Sequence, residues 1–399
     1  MATSPLTIGL LWHSARSSNL GVGALTAAHV ALIQQVAKSA GVDVRLEIIG
    51  WTERTQMPSV VPDVDVVDLR LVDFAPFVGK LYQTVRDCDL VLDISAGDSF
   101  TDIYGVHRYV TQIVSKLTVM IARTPLVLAP QTIGPFHRRL TQWPARFVMN
   151  RAKLVVTRDH PSTELAESLR VRTPIVESTD VAMRLPYEPP NATNDLPPKL
   201  RLGMNVSGLL MNGGYTGPNM FGLTFDYRAW TTALLERLVA RPDVEVHLVA
   251  HVLPEGGSIE DDYAACSDLA SRFPSVRLAP SFTSPSEAKT YIAGLDAFMG
   301  ARMHACIAAF SSGVPVLPIA YSRKFSGLFG SLGYDHLVDC RQDTDDEATT
   351  KVFEFLDHVD QARDDLVESR AFADVALDRY QSALREILAT LPPRRGSER

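Results

Sequence analysis

Residues 299–305 read Met299-Gly300-Ala301-Arg302-Met303-His304-Ala305, and a run of small and apolar residues continues from there to Gly313. An apolar strand-like run ends at this point, a glycine permits a tight turn, and a helix of small residues begins. Gly313 stands where a helix ends in a left-handed residue, and Val314-Pro315-Val316 opens the next strand-like run. This order of strand, turn, helix and strand predicts a βαβ unit of a parallel sheet.

The same alternation extends over most of the chain. Before residue 186, strand-like runs at Leu6–Trp12, Leu90–Ile94, Leu126–Ala129 and Leu154–Thr157 alternate with amphipathic stretches such as Ala24–Lys38 and Val106–Ala122. After residue 198, strand-like runs at Leu202–Val206, Val244–Ala250, Val276–Leu278, Leu295–Met299 and Val314–Ile319 alternate with helix-like stretches at Tyr227–Ala240, Ile259–Arg272, Ser286–Ala293 and Met303–Phe310. Ser284 is predicted to cap the third of these helices.

A proline-rich stretch separates the two series of elements. Residues 186–198 contain five prolines in thirteen residues and no apolar periodicity, which indicates an interdomain linker. The prediction is therefore an α/β fold of two Rossmann-like domains, at 1–185 and 199–345, with a charged helical tail at 346–399. Ligands of such folds bind between the domains, at the carboxyl ends of the strands.

The composition excludes several classes of protein. Hydrophobic residues make up 46% of the 399 residues and charged residues 21%, as in a globular protein with substantial cores. The net charge of −7 argues against nucleic acid as a partner. The four cysteines form no C-x-x-C pair, so no metal site is predicted. Neither a secretory leader nor a membrane-spanning run of about 20 apolar residues is evident, which predicts a cytoplasmic protein.

The turn around Gly300 suggests chemistry on an anionic substrate. The first turn of a helix exposes N–H groups and attracts anions, Arg302 can bind a carboxylate or phosphate, and His304 titrates near neutral pH. A surface arginine and a helix-capping histidine are the alternative interpretation. Arg323 and Lys324 follow the end of the next strand and either add cations to the same pocket or are solvated loop residues.

The ordered motifs resemble those of a known family. Residues Gly300–Val316, followed by Ile319–Phe325, strongly resemble the C-terminal signature of the polysaccharide pyruvyl transferase family. Other segments similar to that family occur in order at Asn19–Leu25, Ser95–Asp102, Ala129–Phe136, Thr157–Asp159 with Ser162, Ser178–Asp180 and Gly203–Ser207.

The resemblance implies a GT-B-like arrangement and a specific reaction. Members of the family move the enolpyruvyl unit of phosphoenolpyruvate onto two hydroxyls of a sugar and release phosphate, in surface polysaccharide or exopolysaccharide biosynthesis. Phosphoenolpyruvate is then a co-substrate on the C-terminal domain, and no other cofactor is implied. The saccharide acceptor, on the N-terminal domain, is lipid-linked, nucleotide-linked or polymeric. A lipid-linked acceptor implies peripheral association with the inner membrane face. The oligomeric state is left open.

The resemblance also assigns roles to residues. His304 is the expected acid that protonates C3 of phosphoenolpyruvate, Arg302 holds the anion, and Lys324 assists the departing phosphate. Asp98 is the leading candidate for the base that activates the sugar hydroxyl, with a turn or cap role as the alternative. The remaining substrate-binding candidates are Arg323, Asn205, Gln131, Asn19 and Gly300. His107, His137 and His251 are expected to be structural or solvated.

Two other functions are compatible with the same sequence. A GT-B glycosyltransferase that uses a nucleotide-sugar shares the fold, the cleft and the anion-binding helix, because fold alone does not determine function. A non-catalytic sugar-binding relative is the third candidate, and the presence of both Arg302 and His304 argues against it.

Overall fold

Seven parallel strands form the sheet of the first domain in the computed structural model, which describes residues 5–53, 55–189, 199–217 and 219–391. The strands are β1 (Leu6–Leu11), β2 (Val44–Trp51), β3 (Asp65–Leu69), β4 (Leu90–Asp93), β5 (Leu126–Gln131), β6 (Leu154–Thr157) and β7 (Ile175–Glu177). Their order is β3-β2-β1-β4-β5-β6-β7. The helices are α1 (Leu20–Ala40), α2 (Lys80–Asp87), α3 (Val106–Ile121), α4 (Arg139–Met149) and α5 (His160–Ser168). The predicted strands of this half are confirmed.

A second parallel sheet forms the other domain. Its strands are β8 (Leu200–Asn205), β9 (Val244–Leu248), β10 (Arg277–Leu278), β11 (Ala297–Gly300), β12 (Val316–Ala320) and β13 (Val338–Asp339). Their order is β10-β9-β8-β11-β12-β13. The helices are α6 (Gly208–Met211), α7 (Tyr227–Val239), α8 (Asp262–Arg272), α9 (Pro285–Ala293), α10 (Met303–Ser312) and α11 (Arg323–Ser331). The predicted βαβ unit is therefore β11-α10-β12.

Capping residues set where the helices begin and end. Ser284 accepts a hydrogen bond from the Glu287 amide, and Gly313 ends α10 with φ at +89°, as predicted. Helix α8 begins at Asp262 and not at Ile259, because the Asp261 carboxylate accepts the Ala264 amide. Helix α1 begins at Leu20, before the predicted Ala24, because the Asn19 side chain accepts the Gly21 amide.

The predicted helical tail is two helices that belong to different domains. Helix α12 (Asp345–Asp357) packs in the core of the second domain, whereas α13 (Val359–Thr390) returns to the first domain and packs on α1 and β7. The Tyr380 hydroxyl of α13 lies 2.7 Å from His29 Nε2 of α1. The tail prediction also includes residues 392–399, which lie outside the described residues, as do residues 190–198 of the predicted linker.

The carboxyl ends of the two sheets face each other across a cleft. Asn19, after β1, pairs with Val252, after β9, and the Leu20 amide donates to the His251 carbonyl at 3.1 Å. These backbone contacts bring the beginning of α1 close to the beginning of α10. The cleft therefore lies where ligands bind in open parallel sheets.

Helix α1 is the one helix among the described residues whose length and composition would allow it to cross a membrane. Most of its apolar surface is buried, and Leu25, Leu32 and Ile33 lie in the core of the first domain. Its apolar character is thus explained by packing between the sheet and α13.

Candidate functional site

The turn between β11 and α10 is held by a buried asparagine. The Arg302 amide donates to Asn205 Oδ1 at 2.9 Å, and Asn205 Nδ2 donates to the Val249 carbonyl at 2.9 Å. A Cβ atom on Gly300 would lie 2.9 Å from the Asn205 Cβ, so this asparagine needs a glycine beside it. Asn205 and Gly300, both predicted to bind substrate, thus shape the turn that presents Arg302 and His304.

The guanidinium of Arg302 binds a carboxylate of its own domain. Its Nη2 lies 2.8 Å from Asp262 Oδ1 and its Nε lies 3.1 Å from Asp262 Oδ2. Asp262 is fully buried and also accepts the Gly208 and Val252 amides. Only Nη1 of Arg302 is left without a hydrogen bond to the described part of the chain. Arg302, which was predicted to bind the anion, is therefore already paired with a carboxylate, and its side chain also connects α10 to α8.

His304 lies at the contact between the two domains. A Cβ atom on Gly21 would come within 2.5 Å of His304 Nδ1, so the imidazole rests directly on the first turn of α1. On its other side, Nε2 lies 3.7 Å from Asp180 Oδ2. Nε2 is buried and has no hydrogen-bond partner within the described residues. A buried nitrogen without a partner is unusual in a folded protein and marks this ring as a candidate for contact with a ligand.

Arg158 and Asp180 complete this cluster from the first domain. Arg158 is 1% exposed, its Nη1 donates to Asp180 Oδ2 at 2.7 Å, and its Nε donates to Thr132 Oγ1 at 2.8 Å. Its Nη2 is a second buried donor without a partner among the residues described. Burial alone would raise the pKa of Asp180, but Arg158 and His304 beside it lower this pKa to about 2. Asp180 is thus an ionised carboxylate beside the His304 ring.

Asp98 and Lys324 form an ion pair across the cleft. The Lys324 ammonium donates to Asp98 Oδ2 and to the Tyr104 hydroxyl, and that hydroxyl donates to Asp98 at 2.9 Å. Burial would raise the pKa of Asp98, but Lys324, Arg158 and Arg108 together hold it well below its usual range. Such a carboxylate is ionised yet weakly basic, which argues against its predicted role as the base.

These residues surround a cavity of about 200 Å³ between the domains. Its lining is contributed by strand ends and helix beginnings of both domains, namely Asn19, Val22, Ala96, Asp98, Arg108, Arg158, His251, Arg302, Met303, His304, Tyr321, Ser322, Lys324 and Phe325. Four of these side chains are Arg or Lys and one is a carboxylate, so the cavity is suited to an anion. Helices α1, α10 and α11 all begin at its wall and add the positive ends of their dipoles.

Several predicted site residues lie outside this cavity. Gln131 is fully buried and its Nε2 donates to the Asp93 carbonyl at 2.8 Å, which ties β5 to β4. Arg323 is exposed and lines a separate depression with Thr132 and Asp159. Of the other histidines, His137 pairs with Asp102 on the surface, and His251 in the cavity wall is buried. Burial, His304 and Arg302 lower the pKa of His251 to about 3, so it is neutral.

A more voluminous cavity lies elsewhere. It has a volume of about 800 Å³ and lies beside the end of the first domain, where Tyr187, Phe282 and Tyr291 line it. Its lining contains Glu188 and Glu287 but no Lys or Arg, so it does not suit an anionic ligand. Among the described residues, no group of three or more His, Cys, Asp or Glu side chains is arranged to hold a metal ion.

No role was predicted for Arg158, Asp180, Arg108 or Asp262. Arg158 directly follows β6, and Asp180 comes three residues after β7. Both therefore lie at the carboxyl ends of strands, as Arg302 does, and this position is a signal that could have predicted them as site residues. Asp262 begins α8 and gives no such signal, because its partner Arg302 is 40 residues away.

Solved structures define the fold class. The chain is similar to UDP-N-acetylglucosamine 2-epimerase from Neisseria meningitidis bound to UDP-GlcNAc, with 10% identity, a TM-score of 0.57, and coverage of 95% of this chain and 100% of the other. HepE from Anabaena, in complex with UDP and glucose, is similar with 14% identity, a TM-score of 0.56, and coverage of 96% and 98%. These are GT-B folds, so the predicted arrangement of two Rossmann-like domains is confirmed.

The sequence comparison then gives the family. Residues 28–323 match the family described as polysaccharide pyruvyl transferase, and the chain belongs to that family. The amylovoran biosynthesis protein AmsJ of Erwinia amylovora is 20% identical in an alignment of 298 residues that covers 71% of this chain and 69% of AmsJ. The predicted resemblance is thereby confirmed, and the family indicates an enzyme of polysaccharide biosynthesis.

Proposed function

We propose that this protein transfers the pyruvyl group of phosphoenolpyruvate onto two hydroxyls of a saccharide and forms a pyruvate ketal. The observation that carries this proposal is the position of His304 in an interdomain cavity whose wall contains Arg108, Arg158, Arg302 and Lys324. An anionic substrate and an acid-catalysed step both require such a combination.

Phosphoenolpyruvate has a phosphate and a carboxylate, and two groups of cationic side chains are available for them. Arg158 Nη2 is a buried donor that lacks a partner in the described chain, and it lies beside the Asp180–His304 contact. Lys324 and Arg108 lie on the other side, near Asp98 and Tyr104. We assign the phosphate to the Lys324 side, where the ion pair with Asp98 can open, and the carboxylate to the Arg158 side.

His304 supplies the proton in this mechanism. The imidazolium transfers its proton to C3, which leaves an oxocarbenium-like centre at C2. One sugar hydroxyl forms a C–O bond to C2, the bond from C2 to the phosphate oxygen breaks, and the second hydroxyl closes the ketal. Overall, one hydroxyl proton ends on C3 through His304 and the other ends on phosphate. Proton transfer by a positioned group contributes about 10²–10⁴-fold.

Asp98 acts in this proposal as the counter-ion of Lys324. Its lowered pKa makes it a poor base, and an oxocarbenium-like centre reacts with a hydroxyl that has not yet lost its proton. Asp180, which has a pKa of about 2, orients His304 and stabilises its charged form. The reaction needs no cofactor besides phosphoenolpyruvate as co-substrate.

The acceptor is a saccharide carried on a lipid, a nucleotide or a polymer, and the location proposed is the cytoplasm or its membrane surface. A nucleotide-sugar glycosyltransferase is the alternative function, because the GT-B relatives include complexes with UDP and UDP-GlcNAc. The two functions differ in the ligand that the protein should bind, which is phosphoenolpyruvate for the pyruvyl transferase and a nucleotide-sugar for the glycosyltransferase.

The first experiment measures thermal unfolding with phosphoenolpyruvate, inorganic phosphate, UDP and GDP. A ligand at 100 times its dissociation constant adds about 2.7 kcal/mol to the free energy of unfolding. We expect stabilisation by phosphoenolpyruvate that exceeds the effect of phosphate, and none by the nucleotides. Stabilisation by UDP or GDP without a response to phosphoenolpyruvate would establish the glycosyltransferase alternative, and no response to any ligand would contradict the proposal.

The choice of variants follows from the contacts of each cation. Arg302→Ala would leave the buried Asp262 without its partner, which costs about 3–5 kcal/mol and confounds any test of binding. Lys324→Gln and Arg108→Gln are better probes because these side chains are partly or largely exposed. Both should lose the response to phosphoenolpyruvate.

His304→Ala tests the acid. His304→Ala should retain most of the stabilisation by phosphoenolpyruvate but lose phosphate release in the presence of an acceptor. His336→Ala is the matched control, because His336 pairs with Asp365 and does not line the cavity. Near-normal turnover of His304→Ala would disprove the assignment.

A further inference from the structure

One segment of the first domain has an unusual charge pattern. The protein contains 46 acidic residues in 399, about one in nine, yet residues 103–158 contain no Asp or Glu. The same segment contains nine Lys and Arg residues. The segment runs from the loop before α3 to the residue after β6. Although the whole protein has a net charge of −7, this segment contains basic residues and no acidic ones.

Helix α4 lies within this segment and exposes large apolar side chains. Leu140 is 85% exposed and Trp143 is 69% exposed, three residues apart on one side of the helix. Trp143 stacks on Phe147, with ring centroids 5.8 Å apart, and the Arg151 guanidinium lies over the Phe147 ring. Exposed apolar residues of this size in register on one helix indicate a surface that contacts something apolar.

Arginines border these apolar residues. Arg138 and Arg139 precede Leu140, and Arg146 lies one turn beyond Trp143. Their guanidinium groups make no ion pair with the residues that the structure describes. We call Arg138, Arg139, Leu140, Trp143, Arg146 and Arg151 the α4 surface. Apolar side chains with an arginine border are typical of helices that lie in the interface of a lipid bilayer.

The α4 surface adjoins the candidate site. Thr141 Oγ1 donates to Asp102 Oδ2 at 2.7 Å, which fastens the first turn of α4 to the loop that carries Tyr104. Tyr104 in turn donates to Asp98 at the cavity. Ile103 and Val106, on and beside this loop, are also exposed. The loop therefore links α4 to the wall of the cavity and adds two exposed apolar side chains.

We propose that the α4 surface docks on an anionic lipid bilayer, with Leu140 and Trp143 among the acyl chains and the arginines at the lipid phosphates. The occupant is an anionic bilayer because the arginines of the α4 surface are complementary in charge to the lipid phosphates. A symmetric contact between two copies of this chain through α4 would bring arginines of one α4 surface close to arginines of the other. Docking through α4 would hold the loop that carries Tyr104, and with it the cavity, near the membrane surface, where a lipid-linked saccharide would be presented if the proposed function holds.

Sedimentation with lipid vesicles tests the proposal on the intact chain. The vesicles are phosphatidylcholine alone, or phosphatidylcholine with about 30% phosphatidylglycerol. The protein should bind the anionic vesicles and bind them less as the salt concentration rises. Leu140→Ser with Trp143→Ser should lower binding about tenfold or more, and Arg138→Gln with Arg139→Gln should lower it and reduce its salt dependence.

Val367→Ser with Phe372→Ser is the matched control, because these exposed apolar residues lie on α13, away from the α4 surface. This variant should bind as the wild type does. Absence of wild-type binding to anionic vesicles, or equal loss in the α13 variant, would overturn the proposal. So would self-association that is lost in Leu140→Ser with Trp143→Ser while vesicle binding is unaffected. The measurement needs no substrate, so it succeeds or fails independently of the proposed transfer reaction.

Discussion

His304 Nε2 of the second domain lies 3.7 Å from Asp180 Oδ2 of the first domain. Asp180 is also bound by Arg158 Nη1 at 2.7 Å and by the Ala182 amide at 2.9 Å, so its position is fixed from its own domain. The acid proposed for the reaction is therefore complete only when the two domains are together.

Asp180→Asn should lower turnover about 100-fold, since it removes the charge that stabilises the imidazolium. A loss of folding alone would remove the stabilisation by phosphoenolpyruvate together with turnover. We instead expect turnover to fall while that stabilisation is retained. Asp365→Asn, which breaks a surface carboxylate–histidine pair with His336, is the control and should change neither.

Gly21→Ala should impair catalysis through His304. The new Cβ would come within 2.5 Å of His304 Nδ1 and 2.7 Å of Cγ, so the ring must shift. A displacement of about 1 Å can cost about 100-fold in rate. Gly23→Ala is matched to it, because its Cβ would meet Val60 and Pro285 at ordinary distances of 3.4 Å and 3.6 Å. Equal kcat values in the two variants would contradict this account of Gly21.

Asp98→Asn distinguishes a counter-ion from a base. If Asp98 only holds Lys324, the variant should keep kcat within about tenfold and change mainly the KM for phosphoenolpyruvate, because Lys324 is released from its ion pair. Loss of a general base would cost about 10²–10⁴-fold in kcat. Tyr104→Phe, which removes the other donor to Asp98, should have a small effect.

Lys289→Met should change the pH dependence of stability. Lys289 is 1% exposed and donates to the Met183 and Leu185 carbonyls. Burial, followed by Arg370 and Arg184, lowers its pKa to about 7. Between this value and the ordinary pKa of about 10.4, the unfolded chain binds the proton and the folded chain does not, so wild-type stability rises with pH.

Urea unfolding at about pH 7.5 and pH 9.5 measures this effect. The free energy of unfolding of the wild type should increase by about 2 kcal/mol more than that of Lys289→Met over this range. Parallel pH dependence of the two proteins would show that Lys289 stays protonated in the fold.

Much of the fold could be predicted from local patterns. Strands such as Leu90–Asp93 are continuous apolar runs because both faces of a parallel sheet are buried. Strand β3 (Asp65–Leu69), by contrast, lies at a sheet edge, is largely exposed and lacks this signal. The sequence also did not predict that α12 packs on the second domain and α13 on the first, because the apolar face of a helix does not show which surface it packs against.

The features of the site also fall into two groups, those that follow from local sequence and those that depend on tertiary contacts. Local patterns along the chain are enough to predict that Arg302 and His304 begin a helix after a buried strand and that Lys324 follows the next strand, and the motifs indicate the family. Tertiary structure decided that Arg302 is bound to Asp262, that Asp98 is paired with Lys324, and that Asp180 lies beside His304. Strand and helix ends follow from neighbours along the chain. The charge state and availability of a side chain depend on partners brought close through space, 40 to 226 residues away for the two ion pairs.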